Sequence, residues 1–301
     1  MIRRLAVLMA ILALAGALLA EEAKPVLLRH HFAAGQVLKY RGKVQGEGSI
    51  TFMEQRQPVT IAGEFNLTQK VLQVSEDGSA RIATTVEGGA LVFRTPIVSQ
   101  RLPISLPTLT QTITPDGRVL KSAGWERSPA EAPRAHINLR RVIEQLHVLW
   151  FPDHPVAVSD TWVQLPPKAV DEKPAAEPPP SPAPPPPAAA PSPPPPGGFP
   201  AWKFTLMGFE RVGDRDCARI RAGGQAPIKD VLPPDPMGDV LELDGREQLE
   251  TVTDFAFAAG RVARQVASTH TTLHTLTHHA SGGQPVTGDT DITAKVTLEL
   301  R

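Results

Sequence analysis

Seventeen of the 35 residues from Pro166 to Pro200 are proline, and the centre of the run reads EPPPSPAPPPPAAAPSPPPPGG from Glu177 to Gly198. Proline has no amide donor and a fixed φ, so this stretch joins neither a sheet ladder nor a helix interior. Its centre, Glu177 to Gly198, offers no large apolar side chain to bury. The expectation is a solvated polyproline II segment rising about 3.1 Å per residue. It serves as a disordered linker or a surface loop rather than as part of a core. Whatever folds in this chain must fold on either side of it: a part over residues 21–165 and a part over 201–301. The two parts are either two β units or two halves of one fold.

The N-terminus sets the expected compartment. Met1-Ile2-Arg3-Arg4 is followed by an uncharged run from Leu5 to Leu19, then Ala20 and Glu21-Glu22. This is the pattern of a cleaved signal peptide over residues 1–20. The apolar run is shorter than the roughly 20 residues of a spanning helix, and no later segment is long enough to cross a bilayer. No cysteine lies near the cut, so a lipoprotein anchor is not expected. The expected location is periplasmic or extracellular. The 31 basic and 31 acidic residues balance in the full chain. Loss of Arg3 and Arg4 leaves 29 against 31, a net of −2. That balance argues against nucleic acid as a partner, because displacing counterions from phosphates requires excess positive charge.

Both parts read as mainly β, in curved antiparallel sheets. Ile292, Ala294, Val296, Leu298 and Leu300 alternate with Thr293, Lys295, Thr297 and Glu299. A period of two marks a half-buried strand. Leu38, Tyr40 and Val44 alternate with Lys39, Arg41 and Lys43 in the same way. Leu241, Leu243, Leu249, Phe255 and Phe257 share parity along another extended run. Ala258-Ala259-Gly260 then turns that run into the Thr-rich strand Arg261–His278, with Gly260 in a left-handed position. Asp77-Gly78 and Asp116-Gly117 each suggest a two-residue hairpin. One segment departs from the pattern. Leu139, Val142, Ile143, Leu146, Leu149 and Trp150 follow helical spacing and predict one amphipathic helix near 137–150, ended by Pro152.

A weak internal repeat fits two related β units. Val74-x5-Ala80-Arg81-Ile82 parallels Val212-x5-Ala218-Arg219-Ile220, and the Thr114–Val119 hairpin parallels Thr253–Val262. The pieces Phe151-Pro152-x-x-Pro155-Val156-x-Val158-Ser159-Asp160-Thr161-Trp162, then Phe209-Glu210-x-Val212 and Asp216-Cys217-Ala218-Arg219-Ile220, with a late Phe255-x5-Arg261-Val262, carry a resemblance. On them the chain resembles an uncharacterised family of exported bacterial β-proteins, a domain of unknown function. In that family the first motif usually reads Pro-Val, then Gly-Asp-Thr-Trp; here Ser159 stands for the glycine. The resemblance implies a β fold and export, and no chemistry. Physically, Asp160 can cap the turn while Trp162 anchors a strand in the core.

The chemistry candidates lead to no site assignment. His270, His274, His278 and His279 would align on a helix, but on a strand residues four apart lie about 13 Å from one another, too far for one ion. A metal site would need ligands from a neighbouring strand, such as His30-His31. Otherwise the segment is a mixed, solvent-facing strand. Cys217 is the only cysteine, so no internal disulfide or Cys-based metal site can form, and it reads as a buried structural thiol. No Gly-x-Ser-x-Gly elbow and no Walker or dinucleotide fingerprint is present; Gly88-Gly89 and Gly223-Gly224 are isolated pairs. Asp235, Asp239 and Asp244 lack the alternating ligands of a calcium loop. Trp125, Trp150, Trp162 and Trp202 read as packing residues, and Lys39, Arg41 and Lys43 as a solvated stripe.

No catalytic, cofactor-binding or metal-binding residue is therefore assigned, and no cofactor is expected. The expected function is that of an exported, non-catalytic envelope protein binding an apolar small molecule or a lipid. The alternatives are a structural or interaction module whose partner is another envelope protein, and a hydrolase whose site is assembled only in space. The chain is not expected to span a membrane after cleavage.

Overall fold

A computed structural model describes residues 24–52, 54–104, 106–124, 149–164, 201–231, 234 and 237–301. Twelve strands form it: β1 (Val37–Phe52), β2 (Gln55–Val74), β3 (Ala80–Arg94), β4 (Ser99–Pro103), β5 (Leu109–Ile113), β6 (Val119–Ala123), β7 (Thr161–Gln164), β8 (Trp202–Val212), β9 (Arg215–Val231), β10 (Val240–Ala256), β11 (Arg261–His278) and β12 (Val286–Leu300). They make one antiparallel sheet in the order β6-β5-β3-β2-β1-β12-β11-β10-β9-β8-β7, with β4 added to β3 beyond the reach of β5. The sheet is not closed. No helix occurs among the described residues. The helix expected near 137–150 lies outside them, except for Leu149 and Trp150, which are not helical.

Strands from both sides of the proline run belong to this one sheet. The joint is β1 against β12, in register from Tyr40 opposite Leu300 to Phe52 opposite Gly288. A single hydrophobic cluster also spans the two parts, including Val44, Phe65 and Leu67 from one and Phe204, Ile220, Phe255 and Val296 from the other. The alternation read from the sequence places these residues on one face: Ile292, Ala294, Val296 and Leu298 are buried, while Thr293 and Lys295 between them are exposed. We call this face inner.

A sheet of this many long strands does not stay flat. In β1, Gly42, Gly46 and Gly48 share the parity of buried Val44. At Gly48 a Cβ would strike the backbone of Asp291 and Ile292, and at Gly42 it would overlap the Phe65 ring on the facing strand. Glycine at such points lets neighbouring backbones close up and the sheet curl.

The two ends of the sheet differ. At one end the segment before β1 threads between two hairpin tips. The His30 amide donates to the Pro115 carbonyl at 2.7 Å, and the His31 amide donates to the Gly260 carbonyl at 3.1 Å. Gly117 and Gly260 both have positive φ, 87° and 61°, and a Cβ on either would collide with backbone, of Leu149 and His31 respectively. The hairpins expected from the two Asp-Gly pairs form, with loops of three residues rather than two. The Ser75 amide donates to the Ser79 carbonyl, and the Thr114 amide to that of Arg118, with the glycine left-handed in the third loop position. The repeat pairs observed in the sequence take matching places: β2/β3 followed by β5/β6, and β8/β9 followed by β10/β11. At the other end, which we call the rim, lie the tips of β1/β2, β3/β4, β9/β10 and β11/β12.

The Pro155–Trp162 motif behaves as a cap and anchor. Val156 bridges Val26. The Asp160 carboxylate accepts the Ala157 amide at 2.8 Å. The Trp162 indole stacks on Phe204 with centroids 5.6 Å apart and donates to the Trp150 carbonyl at 2.6 Å. Ser159 has φ of 74°, a conformation glycine adopts without strain.

Candidate functional site

The inner face changes character along its length. Toward the packed end Tyr40, Val44, Phe255, Val262 and Ala267 are fully buried. Toward the rim, residues of the same parity remain half-buried: Ile50, Phe93, Ile228, Leu241, Leu273 and Val286. They come from six different strands and form an apolar strip at the rim end of the inner face, which we call the mouth. Just inside it Glu247 faces Thr271 across the β10/β11 ladder, both buried. Glu247 is engaged rather than free. A seam of buried polar residues continues inward through Thr251, Thr269, Thr253 and Gln265, with the Gln265 amide donating to Thr253 Oγ1 at 3.1 Å. Over His270–His279 the segment is mixed, as the sequence suggests: His270, His274 and His279 are exposed, and Thr271 is buried. Nearer the start of β11, Gln265, Ala267 and Thr269 also point inward and are buried. The signal was their alternation with Arg264, His270 and His274, hidden because threonine does not stand out as a core residue.

The histidines lie on the outer face of β11 and beyond its end, and each meets a carboxylate. His270 Nε2 is 2.9 Å from Asp291, His274 Nδ1 is 2.8 Å from Asp289, and His279 Nδ1 is 2.8 Å from Asp239. His278 Nε2 lies 3.1 Å from Glu242 without hydrogen-bond alignment. These are four separate pairs. No group of three or more His, Cys, Asp or Glu side chains placed to hold a metal occurs among the described residues. His30 and His31 do not join them. They sit beside Gly260, at the far end of β11 from His274 and about 30 Å from His270 along the strand.

His30 belongs to the packed end. Its ring contacts Phe32, Phe151 and Phe255 at centroid distances of 5.6, 5.1 and 5.2 Å, and Nε2 lies 3.2 Å from the Leu149 carbonyl. Burial lowers its pKa to about 4, against the opposing pull of the Leu149 carbonyl and Asp116. A small cavity of about 30 Å³ lies next to it, lined by Phe32, Leu38, Tyr40, Ile113, Arg261 and others. That is room for about one water molecule, not for a ligand.

A charged cluster bridges four strands on the outer face. Asp254 is only 2% exposed and lies between Arg264 Nε at 2.7 Å and Arg219 Nε at 3.2 Å. Glu210 completes it, 2.6 Å from Arg219 and 3.2 Å from Arg264. Burial, with Asp254 alongside, raises the Glu210 pKa. The two charges of each sign satisfy one another, so the cluster is a clamp rather than an anion site. Cys217 is buried near it, and burial raises its thiol pKa. A thiol so placed is a weak nucleophile. Lys39 and Lys43 are exposed, and Arg41 pairs with Glu64 at 2.7 Å. Trp162 and Trp202 are core residues, and Trp150 is half-buried against the core. Trp125 and Asp235 lie outside the described residues.

No family model matches the chain, and no curated protein does. Among solved structures, a DUF1329 family protein from Desulfovibrio piger ATCC 29098 is similar over 87% of this chain and 83% of that one, at 10% identity and a TM-score of 0.18. A TM-score that low carries no argument about this chain. No helix among the described residues is long and apolar enough to cross a membrane.

Proposed function

We propose that this chain is an exported, non-catalytic envelope protein that binds an apolar ligand or lipid at the rim end of its inner face. The observation that carries the reading is the burial gradient. Ile50, Ile228, Leu241 and Leu273 are core-parity residues that the fold leaves half open, on strands whose other ends are tightly packed. Apolar walls with a few polar groups inside are the usual make-up of a small-molecule site. Neither cluster of titratable groups resembles a catalytic constellation. The Asp254 clamp is internally neutralised, and the buried His30 has a carbonyl and three aromatic rings for neighbours.

Titration of the purified mature chain with a fluorescent fatty acid tests this. The expected result is saturable binding. Leu273→Glu or Ile228→Glu should weaken it by about tenfold or more, because a carboxylate against an acyl chain is desolvated without a partner. Lys39→Glu, on the outer face, should leave it unchanged. Absence of saturable binding by the folded chain, or equal binding by both mouth variants, would overturn the reading.

A further inference from the structure

We propose that the rim is a membrane-docking surface, in which the β3/β4 hairpin seats the protein on an anionic lipid bilayer, with Val231 and Met237 adding apolar contact. The three most exposed large apolar side chains among the described residues are Met237, Ile97 and Val231, at 80%, 76% and 64%. All three are at rim tips, Ile97 in the β3/β4 turn and the others at the β9/β10 connection. The β3/β4 turn is built to present its apolar pair. The Thr95 amide donates to the Val98 carbonyl at 2.8 Å, and the Val98 amide to Thr95 Oγ1 at 3.1 Å, which holds Ile97 and Val98 outward.

The charge of this hairpin identifies its partner. From Ala90 to Pro103 it carries Arg94 and Arg101 and no acidic residue. Both arginines are exposed, and neither makes an ion pair among the described residues. Arg94 is opposite Ser99 and Arg101 opposite Val92, so the register places both on one face, behind the apolar tip. Lys229, two residues behind Val231 on β9, lies 3.9 Å from Asp244, so that side adds apolar contact without a free cation. An apolar tip with cations set back from it matches the bilayer interface, where acyl chains lie below a layer of phosphates.

Spacing favours a bilayer over a protein partner. Ile97 and Met237 stand on separate tips, with five strand-to-strand steps between β3 and β10 in the sheet. Single apolar side chains on separate tips do not make the contiguous patch that a protein partner buries. A fluid plane can receive each one separately. The inference deepens the ligand reading by naming the surface from which an apolar ligand enters the mouth, and rests on that reading only for this purpose.

Co-sedimentation with phosphatidylcholine vesicles, with and without phosphatidylglycerol, tests it, run beside the fatty-acid titration. The expected result is binding that requires phosphatidylglycerol and weakens with added salt. Ile97→Asp/Val98→Asp and Arg94→Glu/Arg101→Glu should each reduce the vesicle-bound fraction by about tenfold or more. Met237→Asp should have a smaller effect in the same direction. All are exposed positions, and unchanged thermal melting confirms folding. Tip variants should still bind the fatty acid in solution. Sedimentation that is absent, or the same in the tip variants as in the parent chain, would overturn docking even if fatty-acid binding stands. Tip-dependent sedimentation without fatty-acid binding would support docking and remove the ligand reading.

Discussion

Acid should destabilise this fold through His30, and the effect can be isolated. The ring is buried among Phe32, Phe151 and Phe255, with Nε2 against the Leu149 carbonyl. Desolvation lowers its pKa from 6.5 to about 4. In the unfolded chain the same group titrates at its ordinary value. Between those two values the unfolded state binds a proton that the folded state refuses, so stability falls as pH falls through that window. A tenfold difference in proton affinity between the two states corresponds to about 1.4 kcal/mol, so the loss amounts to about 3 kcal/mol by pH 4. His30→Phe keeps an aromatic ring in the site and removes the proton. It also strips the Leu149 carbonyl of its donor, which costs about 1–2 kcal/mol at every pH. Urea unfolding of both chains from pH 7.5 to pH 4 should therefore give curves that cross. The variant is the less stable at neutral pH and the more stable, by about 1–2 kcal/mol, near pH 4. Other titrating groups are common to both chains and cancel. A difference that stays constant with pH would refute the reasoning.

Three further outcomes follow from the packing. Asp254→Asn takes a buried charge from two guanidiniums. Breaking such a pair typically costs about 3–5 kcal/mol, and because Glu210 still holds both arginines we expect about 2–3 kcal/mol, read as a fall in melting temperature of roughly 5–10 °C; a fall under about 1 °C would contradict the clamp. Ser159→Gly relieves a left-handed serine and should raise stability by about 0.5–1 kcal/mol, seen as a higher urea midpoint, whereas a lower midpoint would deny the strain. Gly42→Ala should cost about 1–3 kcal/mol because its Cβ meets the Phe65 ring, and in a Phe65→Leu background the same change should cost less than half as much. Additive losses in that double-mutant cycle would mean that the two residues do not share the space.

What could be read from the sequence was what is local. The alternation in Ile292–Leu300 gives β12 and its buried face directly, because a period of two is a property of one strand. Gly260, Asp160 and Trp162 were legible for the same reason: a left-handed turn, a cap and an anchor each act within a few residues. The hairpin loops came out one residue longer, since Asp-Gly also suits the last two positions of a three-residue loop. The non-local features were hidden. Nothing in the chain says that β1 pairs with β12, yet that pairing joins the parts on either side of the proline run. Asp254 lies 35 residues from Arg219 and 10 from Arg264. Only the ladder register makes them neighbours. The mouth is the extreme case. Ile50, Ile228 and Leu273 look like any core residue, and what sets them apart is incomplete cover, which is a property of the whole sheet. The inward side of the Thr-rich strand was hidden because threonine has high β-propensity on either face.

Native mass spectrometry of the chain purified from its own host is the most direct test of the ligand reading. The expected result is an adduct of lipid mass that survives gentle ionisation, dissociates on collisional activation and is lost in Leu273→Glu. A mature chain that carries no adduct, and that takes up none when incubated with lipid, would contradict it.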